Sequence, residues 1–514
     1  MFCIIGAMKD NIRINVIVNV IRTFVLTLLS FITFPWVCRY LGDAAVGTYT
    51  WANTFVAYFL ILAKIGIPNL AVRECVKVRD NKEELSNKVQ GFFLLQSIAT
   101  ILSFGLLCSV VFTVPQLREQ NALIFILSLN FLVGAFSFEW VFIALEKQFY
   151  MAVRSIVALT ISATLIIIFV TNPNDILLYA LIAILVTVIT TISNLYYVRR
   201  YVSFKKTKPY NLKQYARPLL VLCTLSLTLS LYNQTDTFIL GFINLDKTEV
   251  ASYSVGIKGI DIIIGIITSL SVVFIPRAAY YYGVEDKKYF NNLNKYSINI
   301  CLFIVLPAIV TMCVLAKPIC GLISGTYTFN PGDDYWSAPY ILMILSAMMV
   351  TYSIGDIIYG QILLPMKKEK YYLIAIGVGT LLNIALSIVL GGFVFKDKPA
   401  IGVAIGTVST DVLIIIFLLA ITWKWTKKAI FNFNTLKLVI ANALIAGLSI
   451  AIYNPLMNLW TMMNLSIGVS YALQLISIVL LMGVIYILAL YFLKEDLVYS
   501  FSRKRKEERK NAES

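Results

Sequence analysis

Fourteen long apolar stretches follow one another along this chain, separated by short polar loops. They cover about residues 14–37, 45–69, 88–113, 121–145, 151–171, 176–198, 217–242, 249–274, 296–316, 338–360, 371–392, 400–423, 436–454 and 469–493. Each holds about 20 residues, which at about 1.5 Å rise per residue matches a hydrocarbon core of about 30 Å. Inside such a core every backbone N–H and C=O needs a partner within the chain, and a helix supplies it within one segment. The pattern predicts an all-α polytopic membrane protein of about fourteen transmembrane helices.

The basic residues give the orientation. With the N-terminus in the cytoplasm, most of the 43 Lys and Arg residues fall on the inner side. The outer loops hold Arg39, Arg118, Lys247, Lys317, Lys396 and Lys398, and three more cations, Arg22, Lys64 and Lys258, lie within helices. One missed helix would invert every later loop and erase this bias, so both termini are expected to be cytoplasmic. The net charge of +16 then reads as a topology signal that also suits an anionic inner leaflet, and no nucleic-acid partner is implied. The basic tail at 494–514, with Arg503 to Lys506, Arg509 and Lys510, is expected to lie on anionic membrane lipids.

Several function classes are set aside by composition. The chain is 59% hydrophobic and 14% charged, far from a soluble profile, and its loops are too short to hide a soluble domain. Its eight cysteines are scattered without a CxxC pair and it has no histidine, so no metal, haem or disulfide framework is expected. There is no GxxxxGK[ST] loop, hence no sign of ATP used here, and no cofactor is implied. The opening residues MFCIIGAM are too short for a cleavable signal peptide, and Met8 is an alternative start.

The basic linker at 199–216 separates an N-terminal lobe (1–198, six helices) from a C-terminal lobe (217–423, six helices). Two further helices occupy 424–493. The lobes echo one another: Leu41-Gly42, Tyr49 and Arg73 in the first match Leu240-Gly241, Tyr253 and Arg277 in the second. Six helices separate the copies, an even number, so the repeat is parallel about an axis along the membrane normal. Two six-helix lobes around a central cavity are the expected architecture.

Ionisable groups inside a membrane are costly and usually face a cavity or a partner. Asn15, Asn19 and Arg22 form one polar stripe on the first helix, and Asn53 and Lys64 share a face of the second. Glu139 stands beside Trp140 on the fourth. The second lobe adds Asn233 with Asp236, Lys258 with Asp261, then Asp356 and Asp411. One reading is a cavity whose cations hold an anionic head group while the carboxylates pair, release or bind a coupling ion. The plainer reading is interhelical glue, with Lys258 neutralising Asp261 at i, i+3 and Arg22 pairing with Glu139. Arg73 and Glu74 after the second helix, with Arg277 as their second-lobe counterpart, are either a solvated face or a cytoplasmic gate. Pro35, Pro68, Pro276, Pro307 and Pro365 are read as helix terminators.

Several segments resemble the polysaccharide flippases of the multidrug/oligosaccharidyl-lipid/polysaccharide (MOP) exporter superfamily. They are Tyr40-Leu41-Gly42 to Tyr49, Lys64-Ile65-Gly66, Arg73-Glu74, Glu139-Trp140 with Leu145-Glu146-Lys147, and Asp236 before Leu240-Gly241. Gly360 to Pro365, Asn383 and Gly402 to Thr407 extend the likeness, which covers about residues 10–425. The resemblance implies two lobes in an inverted V that open alternately inward and outward. Its substrate would be an undecaprenyl-diphosphate-linked oligosaccharide for O-antigen, capsule or exopolysaccharide, turned across a bacterial inner membrane. Arg22, Lys64 and Lys258 would contact the diphosphate or acidic sugars. An H+ or Na+ gradient, or downstream consumption, would drive transport, and a polymerase and other pathway proteins are implied partners. The protein would not be an enzyme.

Three rivals differ from this reading in their demands. A multidrug or cation antiporter of the same superfamily wants a cavity of acids and aromatics, which Arg22 and Lys64 oppose. A membrane polymerase or glycosyltransferase wants a large outer loop with catalytic groups, whereas Asp333-Asp334 here follow a turn-rich stretch at 327–332. A lipid II flippase is the third.

Overall fold

The computed structural model describes residues 12–205, 212–463 and 465–499. Helix accounts for every regular element among them. In chain order these are α1 (Ile12–Lys64), α2 (Ile67–Val76), α3 (Lys82–Thr113), α4 (Pro115–Arg118), α5 (Asn121–Gly134) and α6 (Glu139–Ala144). There follow α7 (Gln148–Phe169), α8 (Ile176–Val198), α9 (Ala216–Ile243), α10 (Thr248–Gly283), α11 (Lys287–Val314) and α12 (Ala316–Ser324). Last come α13 (Ala338–Leu345), α14 (Met348–Ile357), α15 (Glu369–Val389), α16 (Pro399–Ile430), α17 (Phe433–Met462) and α18 (Ile467–Phe492).

Thirteen of the described stretches are long and apolar enough to cross a membrane. The first, Ile21–Val76, is 56 residues and would be about 80 Å long if straight, more than twice a bilayer core. It is interrupted by a kink at Gly42, whose φ of 75° and ψ of 173° are non-helical and sterically open only to glycine. A break there is where this one run would divide into the two passes that the expected total of about fourteen requires. The chain is a multi-pass, all-α membrane protein, as its apolar rhythm predicts.

Many helices end at residues with positive φ. Gly66 (74°) closes α1 and starts α2, Phe138 (47°) stops the run begun at α5, and Lys247 (61°) begins α10. The termination reading of the prolines fails for three of them. Pro35, Pro276 and Pro307 lie inside α1, α10 and α11, because a long helix can absorb one missing N–H where neighbouring groups compensate. Pro68 does stand in the first turn of α2. Two π-helical turns, Ile358–Leu363 and Leu390–Val394, widen the helices that precede Lys368 and Phe395.

By packing, the chain divides into two units, Met1–Gln234 and Thr235–Ser514. The first is anchored at one end by Ile67, Leu70, Phe92, Trp140, Phe142 and Met151, all nearly water-free. Around them Tyr150 stacks on Tyr197 with ring centroids 4.6 Å apart, and Phe92 meets Trp140 edge-on at 6.1 Å. Aromatic pairs of this kind add to area burial and fix α3, α6, α7 and α8 against each other.

Candidate functional site

In the first unit the polar centre is Glu139. The break at Phe138 places it in the first turn of α6, where unpaired N–H groups favour a carboxylate. Its Oε1 accepts from two guanidiniums, Arg154 Nη2 at 3.1 Å and Arg22 Nη2 at 3.4 Å. Arg154 is held on its other side by Asn194, whose Oδ1 lies 2.5 Å from Nη1 and also accepts from Tyr150 Oη at 3.1 Å. Asn194 in turn donates to the Ser137 carbonyl at 2.5 Å. One carboxylate shared by two guanidiniums leaves the group with a net positive charge. The two arginines differ in burial, since the Arg154 side chain is 5% exposed and Arg22 is 20% exposed. Arg154 is therefore an anchor, and Arg22 is the member with an open edge.

The predicted pairing of Arg22 with Glu139 is present, but Arg154 is a correction. The residue pattern places it at the mouth of the fifth segment, counted with the inner-side cations. It is instead buried on α7, which also buries Ser155 and Ser162, seven residues apart on one face. That serine stripe is the signal that marks this face as polar. Lys64 and Asn53 are exposed, and Lys64 makes no ion pair among the described residues. The side chains of Asn15 and Asn19 lie outside the described residues, as do residues 500–514 of the basic tail.

The second unit buries its acids. Asp236 on α9 is 5% exposed and accepts from Tyr253 Oη of α10 at 2.7 Å. The side chains of Thr407 and Asn383 stand near it. Asn383 donates to Thr407 Oγ1 at 3.2 Å, joining α15 to α16. Asp411, 3% exposed, follows Thr407 by one turn on α16. The result is a buried cluster of carboxylate, amide and hydroxyl groups. Tyr253 enters the sequence pattern only as a repeat marker, and Asn383 and Thr407 only as motif letters. The approach of Asn383 and Thr407 to Asp236 crosses more than 140 positions and has no local signal.

Other predicted members stand apart. Lys258 and Asp261 pair with each other at 3.2 Å, each more than a third exposed, as the glue reading expects. Asn233 is exposed and donates to the Leu229 carbonyl on its own helix. Asp356 lies near Ser271, beside a cavity of about 10 Å³ lined by Ser271, Ser297 and Gln361. That is room for about one water, so no head group enters there. At the end of α2, Glu74 is clamped by Lys77 at 2.5 Å and Lys88 at 2.8 Å, and Arg79 meets Glu146 at 2.7 Å. Arg73 and Arg277 are exposed and make no ion pair among the described residues.

Comparison with known proteins gives a consistent picture. Residues 12–281 match the family described as "Polysaccharide biosynthesis protein", and residues 222–389 match the MatE family. A protein of Escherichia coli (strain K12) named as an O-antigen transporter is 23% identical over 412 residues, covering 79% of this chain and 95% of its own. Among solved structures, the lipid II flippase MurJ in an inward closed conformation superposes with TM-score 0.69 at 18% identity, over 93% of this chain and 99% of that one. An inward-facing multidrug resistance MATE family transporter gives 0.57 at 15% identity, over 78% and 96%. These likenesses show a shared fold. With the family match spanning more than half its residues, this chain belongs to the polysaccharide biosynthesis protein family.

Proposed function

We propose that this protein is a flippase that moves an undecaprenyl-diphosphate-linked oligosaccharide from the inner to the outer leaflet of a bacterial cell membrane. The observation that carries the reading is the net positive Arg22–Glu139–Arg154 group within a membrane-spanning unit. A cation retained in the spans at such desolvation cost suits an anionic substrate and opposes a drug cation. Arg22 keeps one guanidinium edge open for a phosphate oxygen, and Lys64, exposed in the same unit, supplies an ammonium charge. The E. coli relative is named for O-antigen transport and MurJ as a lipid II flippase, which supports this reading.

Coupling belongs to the other unit in this proposal. The pocket at Asp236, Tyr253, Asn383 and Thr407 takes up H+ or Na+, and its occupancy biases which side of the membrane the substrate path faces. Alternating access then needs no chemistry on the substrate, and the protein acts as a carrier. The test is export of the surface glycan in cells that depend on this protein, at matched membrane expression. Arg22→Ala and Lys64→Ala are expected to abolish export, and Asp236→Asn to abolish its dependence on the ion gradient. Full export with Arg22→Ala and Lys64→Ala together would overturn the assignment of substrate charge.

A further inference from the structure

Beside the helix junction at Gly66 lies a groove that no part of the above mechanism uses. It holds about 420 Å³ and is lined by Asn69, Leu70, Arg73, Arg217, Pro218 and the neighbouring Val221 and Leu222. Its walls come from α2 and the first turns of α9, all within the first unit. The wall is built closely. A Cβ on Gly66 would sit 2.5 Å from the Leu222 Cβ, so only glycine allows α9 to seat there. Tyr215 adds a second anchor just before α9, its ring 4.9 Å from that of Phe92 in the buried core.

The chemistry of the groove is two-sided. Arg73 and Arg217 are exposed, and neither makes an ion pair among the described residues. Glu74, the acid next to Arg73, is already engaged by Lys77 and Lys88. Apart from Asn69, the remaining wall is aliphatic and runs on into Leu220 and Val221, 63% and 54% exposed on a helix long and apolar enough to cross a membrane. A ligand here meets two guanidiniums and an aliphatic wall.

We infer that this groove is a docking site for the diphosphate of the polyprenyl-linked substrate, held at the membrane surface before it enters the translocation path. The inference rests on the flippase reading and adds a residence for the substrate outside the Arg22 group. Two exposed guanidiniums match the two charges of a diphosphate diester better than the single charge of a glycerophospholipid. The aliphatic wall receives the first isoprene units while the rest of the tail stays in lipid. The groove opens at the end of α2 predicted to be cytoplasmic, the leaflet where such a substrate is made.

The test places a photoreactive benzoylphenylalanine at position 221 of the full-length protein in phosphatidylethanolamine vesicles. One arm contains undecaprenyl diphosphate as probe, and the other contains phosphatidylglycerol in excess. The expected result is crosslinking to undecaprenyl diphosphate that phosphatidylglycerol does not displace. Arg73→Gln with Arg217→Gln should lower that yield at least tenfold, and Arg73→Lys with Arg217→Lys should restore part of it. Both arginines are exposed, so these changes remove no buried packing. Undiminished crosslinking in the glutamine variant, or preferential crosslinking to phosphatidylglycerol, would overturn the inference. The flippase reading fails separately, through export that survives Arg22→Ala with Lys64→Ala; loss of export there with no crosslink at 221 would reject the groove alone.

Discussion

Arg154 and Arg22 reach the same carboxylate oxygen, yet their environments assign them different work. Arg154 is nearly water-free and satisfies Asn194 and Glu139 together, so removing it strands polar groups inside a helix bundle. Leaving such groups unsatisfied costs about 1–3 kcal/mol. Arg154→Leu is therefore expected to lower the thermal unfolding midpoint in detergent, with Arg22→Ala, at a half-open site, much closer to the parent. Equal midpoints for the two variants would show that the buried group contributes no stability. The sequence pattern made Arg22 and Glu139 readable because a lone charge in an apolar run is conspicuous. Arg154 was harder to see, since its place at the head of α7 lets it pass for one more inner-side cation. Asn194 carries no charge at all and declares itself only through its partners.

At the scale of the helix, the apolar rhythm locates the spans well and their ends poorly. Hydropathy measures depth in the bilayer, and it does not register where a helix continues into the head groups or stops short. Thus α10 runs to Gly283 and α16 to Ile430, well past the apolar segments that announce them, while the stretch at 45–69 breaks at Ile65 and Gly66. The break at Gly66 combines a left-handed backbone with a close approach from α9. Gly66→Ala adds both a strained φ, about 1–2 kcal/mol, and an overpacked contact, about 1–3 kcal/mol. The expected outcome is a clear loss of folded protein, read as the monodisperse fraction after detergent extraction. Gly105→Ala, with open space around its Cβ position, is the control expected to behave as the parent. If Gly66→Ala extracts as well as Gly105→Ala, the junction is not a packing constraint.

For the whole molecule, the expected fourteen-pass count and the charge bias depend on each other, and a reversal at the Gly42 kink would reconcile them with the thirteen apolar helical runs among the described residues. Without two passes in Ile21–Val76, every later loop would change sides, and the basic segments at 285–295 and 367–370 would face outward with the acidic turn at 333–334 inside. That dependence makes orientation a sensitive readout of the fold. In a cysteine-free background, Asn330→Cys in the loop between α12 and α13 is expected to react with a membrane-impermeant maleimide on intact cells. Lys288→Cys, in the first turn of α11, is expected to react only after permeabilisation. Because α11 and α12 lie between them, the two positions must label from opposite sides if α11 spans the bilayer and α12 stays in the outer layer. Labelling of both from outside would mean that α11 fails to cross, and reversed labelling would invert the orientation on which the inner-leaflet position of Arg73 and Arg217 depends.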